Sequence, residues 1–184
     1  MPRLVSFAAS YRPHSLNRQL LHLADTHARA EGATVTVLDY PALEAPLYRG
    51  ETIADALPET VEMLSTALRS HDGIMIATPE YNWSMPGGLK NLIDWLSIDP
   101  RSPLNGKTAL LMCASPSARG GISGLQQLRT PLEVLGCWVY PQLIGIGRAQ
   151  EQLKQDGLAL ERDQQHLRAC VHDFVKATKA LSHA

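Results

Sequence analysis

Three short stretches of this sequence combine neutral donors, fixed cations and small or flat side chains in a way that suits a single ligand. The first is Ala9-Ser10-Tyr11-Arg12-Pro13-His14-Ser15-Leu16-Asn17. Ser10, Ser15 and Asn17 are neutral hydrogen-bonding groups, and Arg12 is a planar charged fork. No acidic residue interrupts them. A helix beginning at the end of this stretch would add unpaired backbone N–H groups and a partial positive charge, so the stretch suits a phosphate. The same residues also fit a plain helix start, with Ser15 as its cap and Arg12 in water. Neither a Walker phosphate loop nor a dinucleotide glycine fingerprint is present.

The second stretch is Thr78-Pro79-Glu80-Tyr81-Asn82-Trp83-Ser84-Met85-Pro86-Gly87-Gly88. Its prolines stiffen it, and two aromatics beside an amide suit a flat, polar heterocycle. Gly87-Gly88 lets the next helix start close to a ligand. The alternative is a packed surface loop in which Tyr81 and Trp83 cover a neighbouring subunit. The third stretch runs from Ser115 through Arg119, Gly120 and Gly121 to Gly124. Its small residues permit close backbone approach, and Arg119 suits an anion or a negatively charged ring. A simple crossover loop fits equally well. Taken together, the three stretches describe a pocket with a phosphate end and a flat-ring end.

The elements that must position these loops follow from hydrophobic period. Short apolar runs at 4–8, 34–38, 73–77, 108–114 and from Trp138-Val139-Tyr140 towards Ile144 and Ile146 read as strands. Leu16, Leu20, Leu23, Ala24 and His27 mark a helix that ends near Gly32. Val61, Leu64 and Leu68 mark another, starting near Pro58. Further helices carry Leu89, Leu92, Ile93 and Leu96; Ile122, Leu125, Leu128, Leu132 and Leu135; and Leu167, Val171, Phe174, Thr178 and Leu181. Residues 40–52 read as a loop. Strands apolar on both faces belong in a parallel sheet covered by helices on both sides. The alternation predicts a doubly wound α/β fold and one domain over residues 1–184. In such a sheet ligands sit beyond the carboxyl ends of the strands, where the three stretches fall.

Composition narrows the function classes. The chain has 184 residues, 17 Lys+Arg against 18 Asp+Glu and a net charge of -1, which speaks against a general nucleic-acid binder and against a strongly acidic electron carrier. The apolar N-terminal run is too short for a signal peptide. No stretch approaches the ~20 apolar residues of a membrane span, so the expectation is a cytoplasmic protein with no membrane partner. Cys113, Cys137 and Cys170 are an odd number without a CxxC pair and read as free packing thiols. The histidines show no metal-ligand spacing, so no metal is expected, and His183 near the end reads as solvated.

The loop residues closely resemble the NADPH-dependent FMN reductase family, which includes chromate, quinone and azo reductases. The long match is Pro79-Glu80-Tyr81-Asn82-x-Ser84-x-Pro86-Gly87-x-Leu89-Lys90-Asn91-x-Ile93-Asp94-Trp95. Ser10, Arg12, Ser15 and Asn17 match the family's first-loop pattern, with Ala9 where glycine is frequent. Ala114-Ser115-Pro116, Gly120-Gly121 and the run Gln127 to Arg129 also fit, and the resemblance covers about residues 3 to 146.

That resemblance implies a flavodoxin-like five-stranded parallel sheet of order 2-1-3-4-5. It implies FMN as cofactor, NADPH or NADH as co-substrate, and a small-molecule electron acceptor. Ser10, Arg12, Ser15, Leu16 and Asn17 would hold the phosphate. Pro79, Glu80, Tyr81, Asn82 and Trp83 would border the ribityl chain and ring, and Ser115 and Gly120 the pyrimidine edge. No side chain is expected to act as nucleophile or base, because the flavin carries the chemistry. Trp83 stands at a variable position, where its indole covers the flavin or narrows the substrate space. Lys90, Asn91, Asp94 and Trp95 read as structural, and Arg101, Arg119 and Arg129 as contacts to a nicotinamide phosphate or a partner subunit. A homodimer or homotetramer is implied. The competing readings are a flavodoxin-type electron carrier, a flavin-free regulatory relative and an FAD-preferring quinone reductase. The compact first loop shows no adenosine site, which places FMN ahead of FAD.

Overall fold

The computed structural model describes residues 1–52 and 56–182, so His183 lies outside the described residues. Five parallel strand positions run β2-β1-β3-β4-β5, with β1 Arg3–Ala8, β2 Thr34–Val37, β3 Gly73–Ala77, β4 Thr108–Ala114 and β5 Trp138–Val139. The order is the expected one, and one detail differs. The fifth position holds two short strands. β5 pairs with Thr108 and Ala109, and β6 (Ile144–Ile146) pairs with Met112 to Ala114. Between the two registers the outer chain carries two extra residues, in the segment that contains Pro141. Proline has no N–H for the ladder, so the strand breaks there. Tyr140 consequently lies outside the strand that the apolar run suggested.

Helices cover both faces, and each strand alternates its side chains between them. Val5, Phe7, Ile74, Ile76, Ala109, Leu111 and Cys113 point to one side, against α2 (Glu59–Arg69), α3 (Gly87–Ser97) and α4 (Ile122–Val134). Leu4, Ala8, Met75, Ala77, Leu110, Met112 and Ala114 point to the other, against α1 (Leu16–Ala30) and α6 (Glu161–Leu181). Leu167, Val171, Phe174 and Thr178 of α6 are buried, whereas Leu181, grouped with them by period, is 42% exposed in the last turn. The edge strand β2 departs from the both-faces-apolar pattern, since three of its four residues are exposed.

One polar residue sits inside the second interface. Asp25 on α1 is 2% exposed and accepts from Ser6 Oγ of β1 at 3.1 Å, while its Oδ1 has no partner. Burial raises this carboxyl to about 6, although Ser6, Arg29 and His22 pull it back.

Sequence period missed three short elements. Tyr40–Leu43 forms a single 3-10 turn within the expected loop. After β6 come α5 (Ala149–Gln152) and a hairpin of β7 (Leu153–Lys154) with β8 (Gly157–Leu158). Of the four residues read as structural on α3, Asn91 and Trp95 serve as anchors. Asn91 Nδ2 donates to the Ala45 and Pro46 carbonyls at 3.2 and 3.0 Å, and its Oδ1 accepts from Tyr48 N–H at 2.8 Å. Trp95 Nε1 donates to Pro46 O at 2.7 Å, and Lys90 pairs with Asp94 at 2.6 Å. Asn91 and Trp95 fasten residues 45–48 onto the helix, while the Lys90–Asp94 pair runs along α3 itself.

Candidate functional site

The loops leaving the carboxyl ends of β1, β3, β4 and β6 converge on a cleft of about 410 Å³. It lies where the chain order reverses across the sheet, between β1 and β3. Ser10, Arg12, Ser15, Leu16, Asn17, Pro79, Glu80, Tyr81 and Ser115 line it, all of them expected from sequence. Asn82, Trp83 and Gly120, also expected, stand outside the lining. His14, Ala114, Pro116 and Gln150 line it as well. Gln150 belongs to α5, and the only sequence signal for it is position, one turn beyond the last strand.

Ser15 caps α1, its Oγ accepting from Arg18 N–H at 3.4 Å. The N–H groups of Leu16 and Asn17, at the open end of that helix, meet no acceptor among the described residues. The Arg12 guanidinium meets no carboxylate among the described residues. Phosphate oxygens fit such a set, because N–H groups without an acceptor, a hydroxyl and an unpaired cation face one space with no acidic side chain on the loop. Tyr11 holds the loop from behind. Its ring lies 5.1 Å from Tyr40, which in turn stacks on Phe7 at 5.9 Å.

Two side chains read as ligand contacts spend their polar atoms on the protein. Asn17 Nδ2 donates to Ala114 O at 3.0 Å, and Asn17 Oδ1 accepts from Ala114 N–H at 2.8 Å. The amide thus bolts the start of α1 to the end of β4, and its backbone N–H is what remains for a ligand. Glu80 accepts from Gly124 N–H at 2.7 Å, in the first turn of α4, and joins the loops after β3 and β4. Gly121, at φ 72°, faces Cys113 so closely that a Cβ would run into the sulfur. Gly120, at φ 68°, packs on the Gly145 backbone, so its role is to let the loop after β4 lie against strand β6. All three cysteines are free and buried, and burial pushes their thiols up to about 12 for Cys113 and Cys137 and about 11 for Cys170.

The rim is aromatic. Tyr81 and Ser84 exchange backbone hydrogen bonds of 2.9 and 3.0 Å around Asn82 (φ 50°) and Trp83 (φ 66°). Positive φ at both central residues is the pattern of a tight primed turn, which glycine adopts far more cheaply than tryptophan. Holding a bulky residue there costs on the order of 1–3 kcal/mol. Trp83 is nevertheless 61% exposed, with the Arg119 guanidinium 4.4 Å above its ring.

The other two arginines read as contacts are committed elsewhere. Arg101 pairs with Glu62 at 2.6 Å and Asp99 at 2.7 Å, away from the cleft. Burial alone would raise the Asp99 carboxyl, but hydrogen bonds from Arg101 and Ser65 outweigh it and hold it at about 2. Arg129 pairs with Glu133 at 2.7 Å and donates to the carbonyls of Val139, Tyr140 and Pro141 in the strand break. It secures the gap between β5 and β6. Among the described residues no three His, Cys, Asp or Glu side chains are placed to hold a metal ion, and no helix is long and apolar enough to cross a membrane.

The sequence profile of NADPH-dependent FMN reductases matches residues 2–152. The chain belongs to that family. As a member of it, the protein is an FMN-dependent NAD(P)H reductase. Its similarity to a quinone reductase of Escherichia coli K12 is 37% identity over 147 residues, covering 78% of this chain and 77% of the relative. An NADPH azoreductase of Bacillus sp. is 33% identical, covering 74% of this chain and 71% of the relative. Among solved structures, a flavoenzyme NAD(P)H:(acceptor) oxidoreductase from Paracoccus denitrificans superposes with a TM-score of 0.83 at 25% identity, over 98% of each chain. Flavodoxin 1 from Bacillus cereus shares the fold, with a TM-score of 0.63 at 18% identity, over 95% of this chain and 97% of the flavodoxin.

Proposed function

We propose that this reductase passes two electrons from NAD(P)H to quinones, azo compounds, chromate or free flavin, each partner taking its turn in the same space above the cleft. When bound, FMN supplies the redox chemistry, taking a hydride from the nicotinamide and returning electrons to the acceptor. The observation that carries the reading is the convergence of an open helix N-terminus, an unpaired arginine and an aromatic rim on one cleft at the switch point.

The protein's own part is binding and orientation. Arg12, the Ser10 and Ser15 hydroxyls and the N–H groups of Leu16 and Asn17 hold the phosphate. Pro79, Glu80 and Tyr81 present backbone along the ribityl chain and ring, and Ser115 faces the ring's polar edge. Because Glu80 and Asn17 are bonded to neighbouring loops, the walls are set before the cofactor arrives, which lowers the ordering cost of binding. No side chain is needed as nucleophile or base. The whole chain works as one FMN-binding domain, assembled as a homodimer or homotetramer in the cytoplasm.

Titration of the purified protein with FMN, followed by anaerobic NADPH, tests the reading. Saturable binding and direct bleaching of the flavin, with parallel-line kinetics when both substrates are varied, are expected. Binding without bleaching would leave a carrier, and no binding would remove the function. Arg12→Ala is expected to raise the FMN Kd about 30-fold, because a charge-assisted phosphate contact contributes ~2 kcal/mol. An unchanged Kd would release Arg12 from the phosphate site.

A further inference from the structure

The rim pair described above has one property that cofactor binding does not use. Arg119 carries a full positive charge and makes no ion pair among the described residues. Its other side-chain contact is a 3.5 Å approach to Ser123 Oγ. Glu80, on the facing loop, accepts from Gly124 N–H and makes no ion pair with Arg119 among the described residues. The guanidinium instead lies over an indole that a strained turn holds out towards solvent. Both residues continue loops whose inner members, Tyr81 and Ser115, line the cleft.

A guanidinium on an exposed ring is held by a weak, displaceable contact. A second flat ring fits the same indole face, and the displaced guanidinium then has free N–H donors for an acidic group on that ring. We propose that Trp83 and Arg119 together select electron acceptors that are both aromatic and anionic, the indole stacking the ring and the guanidinium pairing with its sulfonate or carboxylate. This rests on the reductase reading above and names a substrate class within it. The reaction itself is unchanged: one NADPH is oxidised, and the quinone gains the hydride and a solvent proton to become the hydroquinone.

The test uses FMN-loaded enzyme with saturating NADPH and compares neutral naphthoquinone with naphthoquinone sulfonate. The parent is expected to favour the sulfonate in kcat/KM by about tenfold, as one charge-assisted contact would give, with the preference shrinking as salt is added. Arg119→Gln should lose that preference, and Arg119→Lys should recover part of it. Both variants should keep the parent's FMN Kd and its rate of flavin bleaching by NADPH. Trp83→Gly, which suits the turn better than tryptophan does, should raise KM for both quinones. A sulfonate preference within twofold of the parent's in Arg119→Gln overturns the proposal. So does a rise in the KM for NADPH with the preference intact, which would assign the cation to the donor. If the parent neither binds FMN nor is bleached, the reductase reading itself has failed, and that result is read before any acceptor is added.

Discussion

Asn17→Asp is expected to lose tight FMN binding and to lower the stability of the apoprotein in the same step. The residue is buried, and its amide nitrogen donates to Ala114 O while its oxygen accepts from Ala114 N–H. The substitution keeps the acceptor and replaces the donor with a second oxygen, which then faces a carbonyl oxygen. The site must either hold an unpaired buried charge or protonate it. Breaking a buried arrangement in this way costs about 3–4 kcal/mol. For a chain of this size the melting temperature should fall by about 6–16 °C. The new negative charge also stands at the start of α1, where the phosphate is proposed to bind, so the FMN Kd should rise more than a hundredfold, beyond the effect at Arg12. Asn17→Ala separates the two losses. It removes both hydrogen bonds and adds no charge, so its melting temperature should fall comparably and its FMN affinity less. Calorimetry of the apoproteins with FMN titration of each reads both quantities. Parent-like affinity in Asn17→Asp would mean that the open end of α1 holds no anion.

The second large effect has the opposite sign. Asp25→Asn should make the protein more stable at pH 8. The Asp25 carboxyl sits at about 6 against an ordinary value near 3.8, because burial disfavours its charge. That difference is worth roughly 3 kcal/mol. A carboxyl raised on folding binds its proton more tightly in the native state, so it opposes folding fully above about pH 6 and not at all below about pH 4. Its contribution therefore makes the parent gain stability as pH falls from 7 to 4. Asparagine removes the titration but puts an N–H where Oδ1 has no partner, which returns part of the gain. A net increase of about 1–2 kcal/mol at pH 8 is expected. Urea unfolding at pH 5 and pH 8 checks it: the variant should lose the parent's pH slope in this range, and a slope that persists would place the responsible carboxyl elsewhere.

Much of this architecture was legible in the order of the residues. Leu16, Leu20, Leu23 and Ala24 recur at helical spacing, and Gly73 to Ala77 is continuously apolar, because a central parallel strand is buried on both faces. The cleft followed from those elements, since the loops after three strands had to meet at one edge. What sequence could not give is where a polar side chain spends its hydrogen bonds. Asn17 and Glu80 carry the groups a ligand needs, and both turn out to bridge loops far apart in the chain. Arg101 has Asp99 two residues before it, but the second carboxylate that ties it down, Glu62, comes from α2, 39 residues away in the chain. The segment 149–158 has no period long enough to detect, although Asp156-Gly157 is a turn signal within its hairpin. Trp83 was visible as an odd residue in its stretch, but its left-handed backbone was not.

The break between β5 and β6 bears on how copies of this chain can meet. An unbroken outer strand would offer a row of N–H and C=O groups on which another molecule's strand could zip. Here that border is a run of two residues, a gap spanned by Pro141 and pinned by Arg129, and a run of three. The opposite border, β2, is four residues long. Short borders of this kind disfavour the edge-to-edge growth of an intermolecular sheet, because each offers another strand only a few ladder hydrogen bonds.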